Sequence, residues 1–576
     1  MFGTLIKIVL FFISTLGTFE LLRNLSREGI NRYFLPSLTV AVQVTVLFLA
    51  GLLNVLKEAT IILYLIGFYG ILKSFYQRKS ILFLKYYFKL GYGFLFLVMM
   101  IAALYVRGKI FVGFDNFSHW ALVVRRMLEV NRYPNFEDTL IAFQEYPLGS
   151  ATYLYYFAKL TGRSESLQML GQAYMIVASV LPLFAFAKRN RLAAAIVMFF
   201  FVNFLFVYNI PIVDLLVDTL LPLIGICGLV FTYQNCREKE LKLNLLFSSC
   251  YMVQILQTKN SGIFFVILIV IVLLLFAKKN KSYLQNIAAS AVPFLSLLLW
   301  QKHCQYVFPS AALSKHAMTI ENYKTVFGDK TPEDIMTICS SFIKFSLTYK
   351  DIYVTAAIGL LIGCLIYFFD KKLWKFFVRI ALFTLGLYMV YQAGTLAMYI
   401  FSMPKDEALL LMAVKRYTKT VLIAICYLYM VPAITMLADL NENKKQMVIT
   451  SGTLAICFMG FMYIDKGIIH FMSQDVADAS ERKWIEQTGA DYNIPLYESY
   501  CILISEGDYG YSKYLLKYIF QSNDVSYVVV DNIEDLDSIG AKYIFIYDQE
   551  NEIIKDWILE KYPEQSGQDV ITQPEI

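Results

Sequence analysis

The sequence has few histidines, no paired cysteines and little charge. Its four His show no HxxxH spacing, so the usual helical metal signature is missing. The nine Cys are scattered without a CxxC pair, which indicates neither a zinc site nor a disulfide framework and leaves isolated buried thiols. Charged residues make up only 17% of the chain, and the net charge of +6 is not gathered into a stripe; a nucleic-acid surface is therefore excluded. Internal repeats and low-complexity tracts are lacking as well. The apolar opening, "MFGTLIKIVLFFISTLGTFELL", runs into "RNLSREG" without a small-residue cleavage signature. It reads as a retained helix rather than a removed signal peptide.

What is abundant is hydrophobicity: 58% of residues, with a mean hydropathy of +0.55. Apolar runs of roughly 20 residues, enough to cross a bilayer, fall near 4–22, 37–56, 59–76, 88–106, 167–187, 192–209, 212–233, 243–257, 262–277, 284–301, 351–369, 376–401, 418–438 and 446–464. The chain reads as an α-helical polytopic membrane protein with 46 Phe and 41 Tyr, many near the ends of these runs, where aromatic rings favour the headgroup level. Basic clusters such as "QRKS", "KRNR", "REKELK" and "KKNK" mark cytoplasmic loops. The count of spans is consistent if "PLGSATYLYYFAKL" (147–160) does not cross. That segment is short for a span and opens on Pro147, a residue suited to a helix's first turn. It is expected in or dipping into the outer interface.

This topology puts a first outer loop at 107–166 and a long outer loop at 302–349, together with "TKNSG" (258–262), 402–417 and everything after 465 on the same extracytoplasmic face. Three parts are expected: N-terminal membrane helices over 1–87, a membrane core over 88–464, and a small extracytoplasmic α/β domain over 465–576. In the last part "YCILIS", "VSYVVV" and "KYIFIY" read as strands, with "YSKYLLKYIF" and "NEIIKDWILEKY" as helices.

Polar chemistry concentrates in "GFDNFSHWALVVRRMLEVNRYPN", residues 113–135. Phe117, Trp120, Ala121, Val124 and Leu128 have the spacing of an amphipathic helix's apolar face, while Ser118, Arg125, Arg126 and Glu129 share another. Such a helix is expected to lie along the surface, Trp120 at the interface and the two Arg towards lipid phosphates. Asp115 is then either a helix N-cap or a functional carboxylate at the water boundary. Asp214 and Asp218, four apart, are expected on one face of a span near its outer end, facing a cavity or pairing with a cation from a neighbouring helix. Lys259 is either a snorkelling amine or an anion ligand at an outer membrane end. His119 is expected to cap or orient its helix.

The order of a membrane exit, an acidic residue, an amphipathic helix with an aromatic, "NRYP", then "EYPLGSATYLYYFAKLTG" and "SESLQMLGQAYMIVASVLPLFAFAKRNR" resembles the first outer loop and next span of the GT-C membrane glycosyltransferases, the group of protein O-mannosyltransferases and lipid A aminoarabinose transferases. The resemblance covers roughly residues 88 to 280, weakens through 465 and is only architectural beyond; three helices precede it. It implies a GT-C-like fold and an inverting transfer of sugar from a polyprenyl-phosphate donor to a cell-surface glycan or wall polymer in a bacterial cell membrane. It implies that Asp115 holds the catalytic position. The common paired acid is broken, because residue 116 is Asn.

In this reading Lys259, Arg416 and Lys315 hold the donor phosphate, Arg416 through its planar fork of donors and with Tyr417 completing an Arg-Tyr pair found in some relatives. Lys415 and Lys419 are substitutes for Arg416. Arg125, Arg126, Glu145, Asp214, Asp218, His316 and Tyr417 are further substrate contacts. No cofactor is required by the reading; a divalent metal stays an open alternative without assigned ligands. The expected partners are the lipid-linked sugar, the glycan acceptor and the bilayer, with no nucleic acid. A polysaccharide polymerase or ligase, a lipid-linked glycan transporter and an inactive scaffold are the competing functions.

Overall fold

The computed structural model describes residues 2–26, 29–76, 87, 89–187, 191–235, 241–280, 282–308, 320–440, 444–464, 479–531, 536 and 538–573. By contacts the chain divides into two compact units. The first comprises Met1–Lys109, Glu145–Val213 and Val217–Ile469, and the second Ile110–Gln144, Asp214–Leu216 and His470–Ile576.

The first unit is helical throughout. It opens with α1 (Phe2–Leu25), α2 (Leu35–Leu52), α3 (Leu56–Tyr76) and α4 (Leu90–Val106). After the segment that belongs to the second unit, where α5 (Ala121–Val130) lies, it resumes with α6 (Gly149–Thr161), α7 (Glu165–Val180), α8 (Arg191–Val207), α9 (Leu220–Asn235), α10 (Leu241–Thr258), α11 (Ile263–Asn280) and α12 (Tyr283–Val307). It ends with α13 (Ile320–Gly328), α14 (Pro332–Thr348), α15 (Lys350–Phe369), α16 (Trp374–Phe401), α17 (Lys405–Leu409), α18 (Val414–Asp439) and α19 (Lys444–Ile464).

Among the described residues ten helices are long and apolar enough to cross a membrane, and α4, α8 and α9 are shorter apolar helices. A helix stands at every one of the fourteen apolar runs expected from the sequence, α10 completing the set. The chain is a multi-pass membrane protein. At about 1.5 Å per residue the 13-residue α6 reaches only ~20 Å, short of the ~30 Å hydrocarbon layer. Its residues from Gly149 to Ala158 are all buried.

Sequence decides which helices sit inside. Helices α7, α9 and α18 are buried on nearly every side over most of their length, the pattern of a bundle interior. Helix α16 is its opposite, with 17% of its most apolar window covered by protein and the rest available to lipid. The expected loop at 302–349 is mostly helical, since α12 extends to Val307 and α13 and α14 follow.

The second unit carries a four-stranded sheet of order β2-β1-β3-β4, made of β1 (Tyr500–Ile504), β2 (Val525–Val529), β3 (Tyr543–Ile546) and β4 (Val570–Thr572). Strands β2, β1 and β3 are parallel, with Tyr500 opposite both Val525 and Tyr543; β4 is antiparallel to β3. Helices α20 (Ser480–Asp491), α21 (Tyr511–Phe520) and α22 (Glu552–Lys561) complete it. Every β1 residue is buried, as covered parallel strands require. The small α/β domain expected from the sequence is present, with α20 and the short β4 added.

Candidate functional site

In the first unit the site begins at a break in helical structure. Residues 208–219 join α8 to α9 without forming a helix: Pro211 brings no N–H, and Thr219 clamps the loop by accepting from the Ile210 amide at 2.9 Å and donating to its carbonyl at 3.3 Å. Asp214 and Asp218 therefore do not share a helical face, as the spacing had suggested. The chain divides between them, Asp214 joining the second unit and Asp218 the first.

Asp218 is 2% exposed and is held by two cations. The Lys259 ammonium donates to its Oδ1 at 2.7 Å, and Arg416 Nε lies 3.6 Å from its Oδ2. Thr420 Oγ1 donates to its backbone carbonyl at 3.2 Å. Burial alone pushes this carboxyl up, but the Lys259 and Arg416 charges and the Lys259 hydrogen bond outweigh it and hold Asp218 below the usual carboxylate range. Of the two readings of Asp218, pairing with cations from neighbouring helices is the one observed. Tyr417 is near both cations, its ring centre 5.2 Å from the Lys259 ammonium and 5.6 Å from the Arg416 guanidinium, within cation–π range.

Lys259 owes its place to a tight turn between α10 and α11. Its backbone is extended (φ −162°, ψ 143°), and Gly262 closes the turn so tightly that a Cβ there would lie 2.6 Å from the Ile255 carbonyl oxygen. Arg416 is placed by a turn containing two left-handed residues, Leu411 (φ 49°) and Ala413 (φ 60°). Such conformations are costly for residues with a Cβ and persist where surroundings impose them. Here Tyr399 donates its hydroxyl to the Met412 carbonyl at 2.6 Å.

Beside this triad is a cavity of about 340 Å³ lined by Asn209, Ile210, Tyr349, Lys350, Lys415, Arg416 and Lys419. Four of the seven are cationic. Lys419 donates to the Tyr208 carbonyl at 2.7 Å and lies 3.7 Å from the buried Asp351. Asn209 donates to the Arg416 carbonyl at 3.2 Å. Lys415 is exposed. Asp351 and Lys350, at the start of α15, and Asn209 went unremarked in the sequence, where a charged pair opening a span looks like any other helix start.

Glu145 lies in the same unit but does not line the cavity. Its backbone carbonyl accepts from Trp300 Nε1 at 2.9 Å, and burial pushes its carboxyl up. Lys315 and His316 lie outside the described residues.

In the second unit Asp115 is half-buried and stands immediately before a π-helical turn, Asn116–Trp120, that leads into α5. Asp115 makes no side-chain cap hydrogen bond to that turn, which removes the N-cap reading. Asn116, 1% exposed, accepts from the Leu215 amide at 3.1 Å. Asp214 accepts from the Leu216 amide at 2.9 Å. A Cβ on Gly113 would stand 3.3 Å from Asn116 Nδ2 and 3.3 Å from Asp214 Oδ2. The residue in the place of the second acid is thus a strut, and a carboxylate from a distant part of the chain lies alongside the same loop.

The amphipathic helix is not laid on a surface. Phe117 packs against Tyr511 and Tyr518 at 5.7 and 5.1 Å between ring centres, and Ala121 to Val124 are all buried. Arg125 donates to the Ile519 carbonyl at 3.1 Å and lies 4.7 Å from the Tyr518 ring centre. Arg126 and Arg132 both pair with Asp138, which is fully buried, at 2.6 and 2.7 Å. The two Arg expected at lipid phosphates are bound into protein, because α21 and residues 132–138 offer them acceptors. Trp120 is 9% exposed, too covered to anchor at a membrane surface. Arg482, which the sequence did not single out, donates to the Phe111 carbonyl at 2.6 Å and sits over Phe117. His119 is buried beside Trp120 and Phe143, and burial pushes its pKa down to about 3. Its imidazole is neutral at physiological pH. Among the described residues no group of three His, Cys, Asp or Glu side chains is arranged to hold a metal ion.

No family model matches the sequence, and no curated protein matches it either. Among solved structures the chain is similar to the oligosaccharyltransferase of Archaeoglobus fulgidus in its complex with zinc and sulfate, at 11% identity and a TM-score of 0.42, over 80% of this chain and 69% of that one.

Proposed function

We propose that this chain is a GT-C-like inverting glycosyltransferase that moves a sugar from a polyprenyl-phosphate donor to a surface glycan or wall polymer on the extracytoplasmic side of a bacterial membrane. The observation that carries the reading is the cavity walled by Lys350, Lys415, Arg416 and Lys419 beside the Lys259–Asp218–Arg416 triad. Cations collected at the ends of membrane helices suit an anion that is itself attached to lipid. A purely structural ion pair needs two charges, and here three further lysines line the same space.

In this mechanism Asp115 accepts the proton of the acceptor hydroxyl as its oxygen bonds to the anomeric carbon. The bond from that carbon to the phosphate oxygen breaks on the opposite face, which inverts the centre. The departing lipid phosphate keeps the electron pair, and Arg416 and Lys259 stabilise its growing charge. Asp218 orients both cations and keeps them from repelling one another. Tyr417 confines them, Asp214 contacts sugar hydroxyls or acceptor, Glu145 stands near the donor entrance, and the C-terminal α/β domain guides the glycan. Lys315 and His316, on the long outer loop, contact the donor. Arg125 and Arg126 serve to hold the loop that carries Asp115.

The same cavity favours one second reading. Four cations around one cavity also suit a diphosphate, as a polymerase or ligase of lipid-linked glycans requires. Competition for the purified protein between polyprenyl monophosphate and polyprenyl diphosphate tests both. Preference for the monophosphate supports the transferase, preference for the diphosphate supports the polymerase or ligase, and binding of neither removes both.

A further inference from the structure

Helix α14 (Pro332–Thr348) has three faces instead of two. Ile338 and Phe342, both buried, and half-buried Phe345 form one, packed into a cluster with Tyr399, Met403 and Ala408. Glu333, Thr337, Lys344 and Thr348 form a second that is exposed and polar. Met336, Ile343 and Leu347 form a third that is exposed and apolar, at 70%, 55% and 65%. At about 100° per residue these three lie within roughly 40° of arc. They are a row, not scattered exceptions.

The row is held rigidly. A reciprocal capping box between Thr331 and Asp334 fixes the start of the helix, and Lys405 pairs with Asp334 at 2.8 Å. The buried Lys330 ammonium donates to the Val326 and Met403 carbonyls at 3.1 and 2.6 Å. Leu410 and Met412, 75% and 50% exposed, add apolar surface after α17, which packs against α14. At its other end the row continues into α15, a membrane-length helix with Tyr353 57% and Leu360 72% exposed. The Tyr353 hydroxyl donates to the Leu347 carbonyl across the join.

A helix with protein on one side, polar groups on the next and an apolar row on the third matches a boundary between hydrocarbon and water. We propose that α14 lies in the plane of the membrane interface, with Met336, Ile343 and Leu347 among the acyl chains of one leaflet and Glu333 and Lys344 in water. Lipid is the occupant because the row meets, where Tyr353 contacts Leu347, the exposed apolar side of a spanning helix. Tyr349 and Lys350, which follow α14 directly and line the cationic cavity, then mark the depth of that cavity as the headgroup boundary.

The test uses the full chain in lipid nanodiscs and needs no activity. Ile343→Trp and Lys344→Trp place a reporter at neighbouring positions on different faces, read as emission in excess of the unsubstituted protein. Phosphatidylcholine brominated on its acyl chains should quench the excess emission of I343W at least twofold and spare K344W, with iodide in water doing the reverse. Quenching of I343W by iodide and not by brominated lipid overturns the proposal. Quenching by neither also overturns it, since the row would then be covered by another protein surface or a second copy. Leu347→Trp and Thr348→Trp repeat the comparison should either member of the first pair fail to accumulate.

Discussion

The Lys259 ammonium stands 2.7 Å from the Asp218 carboxylate, joining the turn after α10 to the non-helical segment that precedes α9. Asp218 is nearly inaccessible, with 3% of its side chain exposed against 20% for Lys259. Removing the acid leaves Lys259 and Arg416 facing each other without compensation, which for a buried pair costs about 3 kcal/mol or more. Asp218→Ala should therefore lower the thermal midpoint of the detergent-solubilised protein by several degrees. In Asp218→Asn/Lys259→Met the charge conflict is gone, and most of that loss should return without any return of function. A double variant with normal glycan would remove the triad from the donor site.

Arg416→Lys keeps the charge but loses the planar fork. Steady-state assays with a lipid-linked donor should show KM raised about tenfold, the equivalent of losing one charge-assisted hydrogen bond, with a smaller fall in kcat. An unchanged KM would place Arg416 outside donor binding and leave it as a structural partner of Asp218.

Asn116→Asp tests whether the chain is merely missing a second acid. The structure answers in advance, because Asn116 is 1% exposed and its Oδ1 accepts from the Leu215 amide. A carboxylate there would be a buried charge with no cation paired to it among the described residues. The variant should accumulate poorly and show no gain in turnover. Gain of activity at normal abundance would overturn the assignment of Asn116 as a strut.

His119 gives the pH signature. Its folded pKa is pushed down to about 3 by burial from an ordinary value of ~6.5, so between these values the unfolded chain binds a proton that the folded chain does not. Its contribution is fully present above pH ~6.5 and is lost as pH falls towards 3, at up to about 1.4 kcal/mol per pH unit. His119→Phe should flatten the fall in thermal midpoint between pH 6.5 and 4. Equal slopes would show that the imidazole is hydrated in the folded protein.

Gly262→Ala should disturb the site without touching a charge. Its Cβ would fall 2.6 Å from the Ile255 carbonyl oxygen, so the turn carrying Lys259 must open, at a cost of about 1–3 kcal/mol. Donor affinity should fall more than the thermal midpoint suggests. A variant indistinguishable from the parent in both would show that the turn adapts freely.

The membrane helices were legible because bilayer thickness imposes one length on every apolar run, and a helix stands at each. The strands of the C-terminal sheet were legible for a similar reason, since buried parallel strands read as short continuous apolar runs such as Tyr500–Ile504. What failed was inference across a break in regularity. Asp214 and Asp218 have helical spacing, yet Pro211 and the Thr219 clamp on Ile210 keep their segment from being a helix. The Arg125 and Arg126 side chains looked available because their acceptors, Ile519 and Asp138, are fixed by tertiary packing that leaves no periodic trace. Lys259 and Arg416 were nameable as cations at span ends and Asp218 as an acid awaiting a cavity or a cation, but that these three meet emerged only from the fold.

The measurement that most directly tests the central claim is the sugar composition of the surface glycan in cells carrying Asp115→Asn, with membrane abundance of the protein followed in parallel. Loss of one sugar at normal abundance is the predicted result, with Asp115 as the base that activates the acceptor. An unchanged glycan at normal abundance would contradict the account, removing Asp115 from catalysis and favouring transport or scaffolding instead.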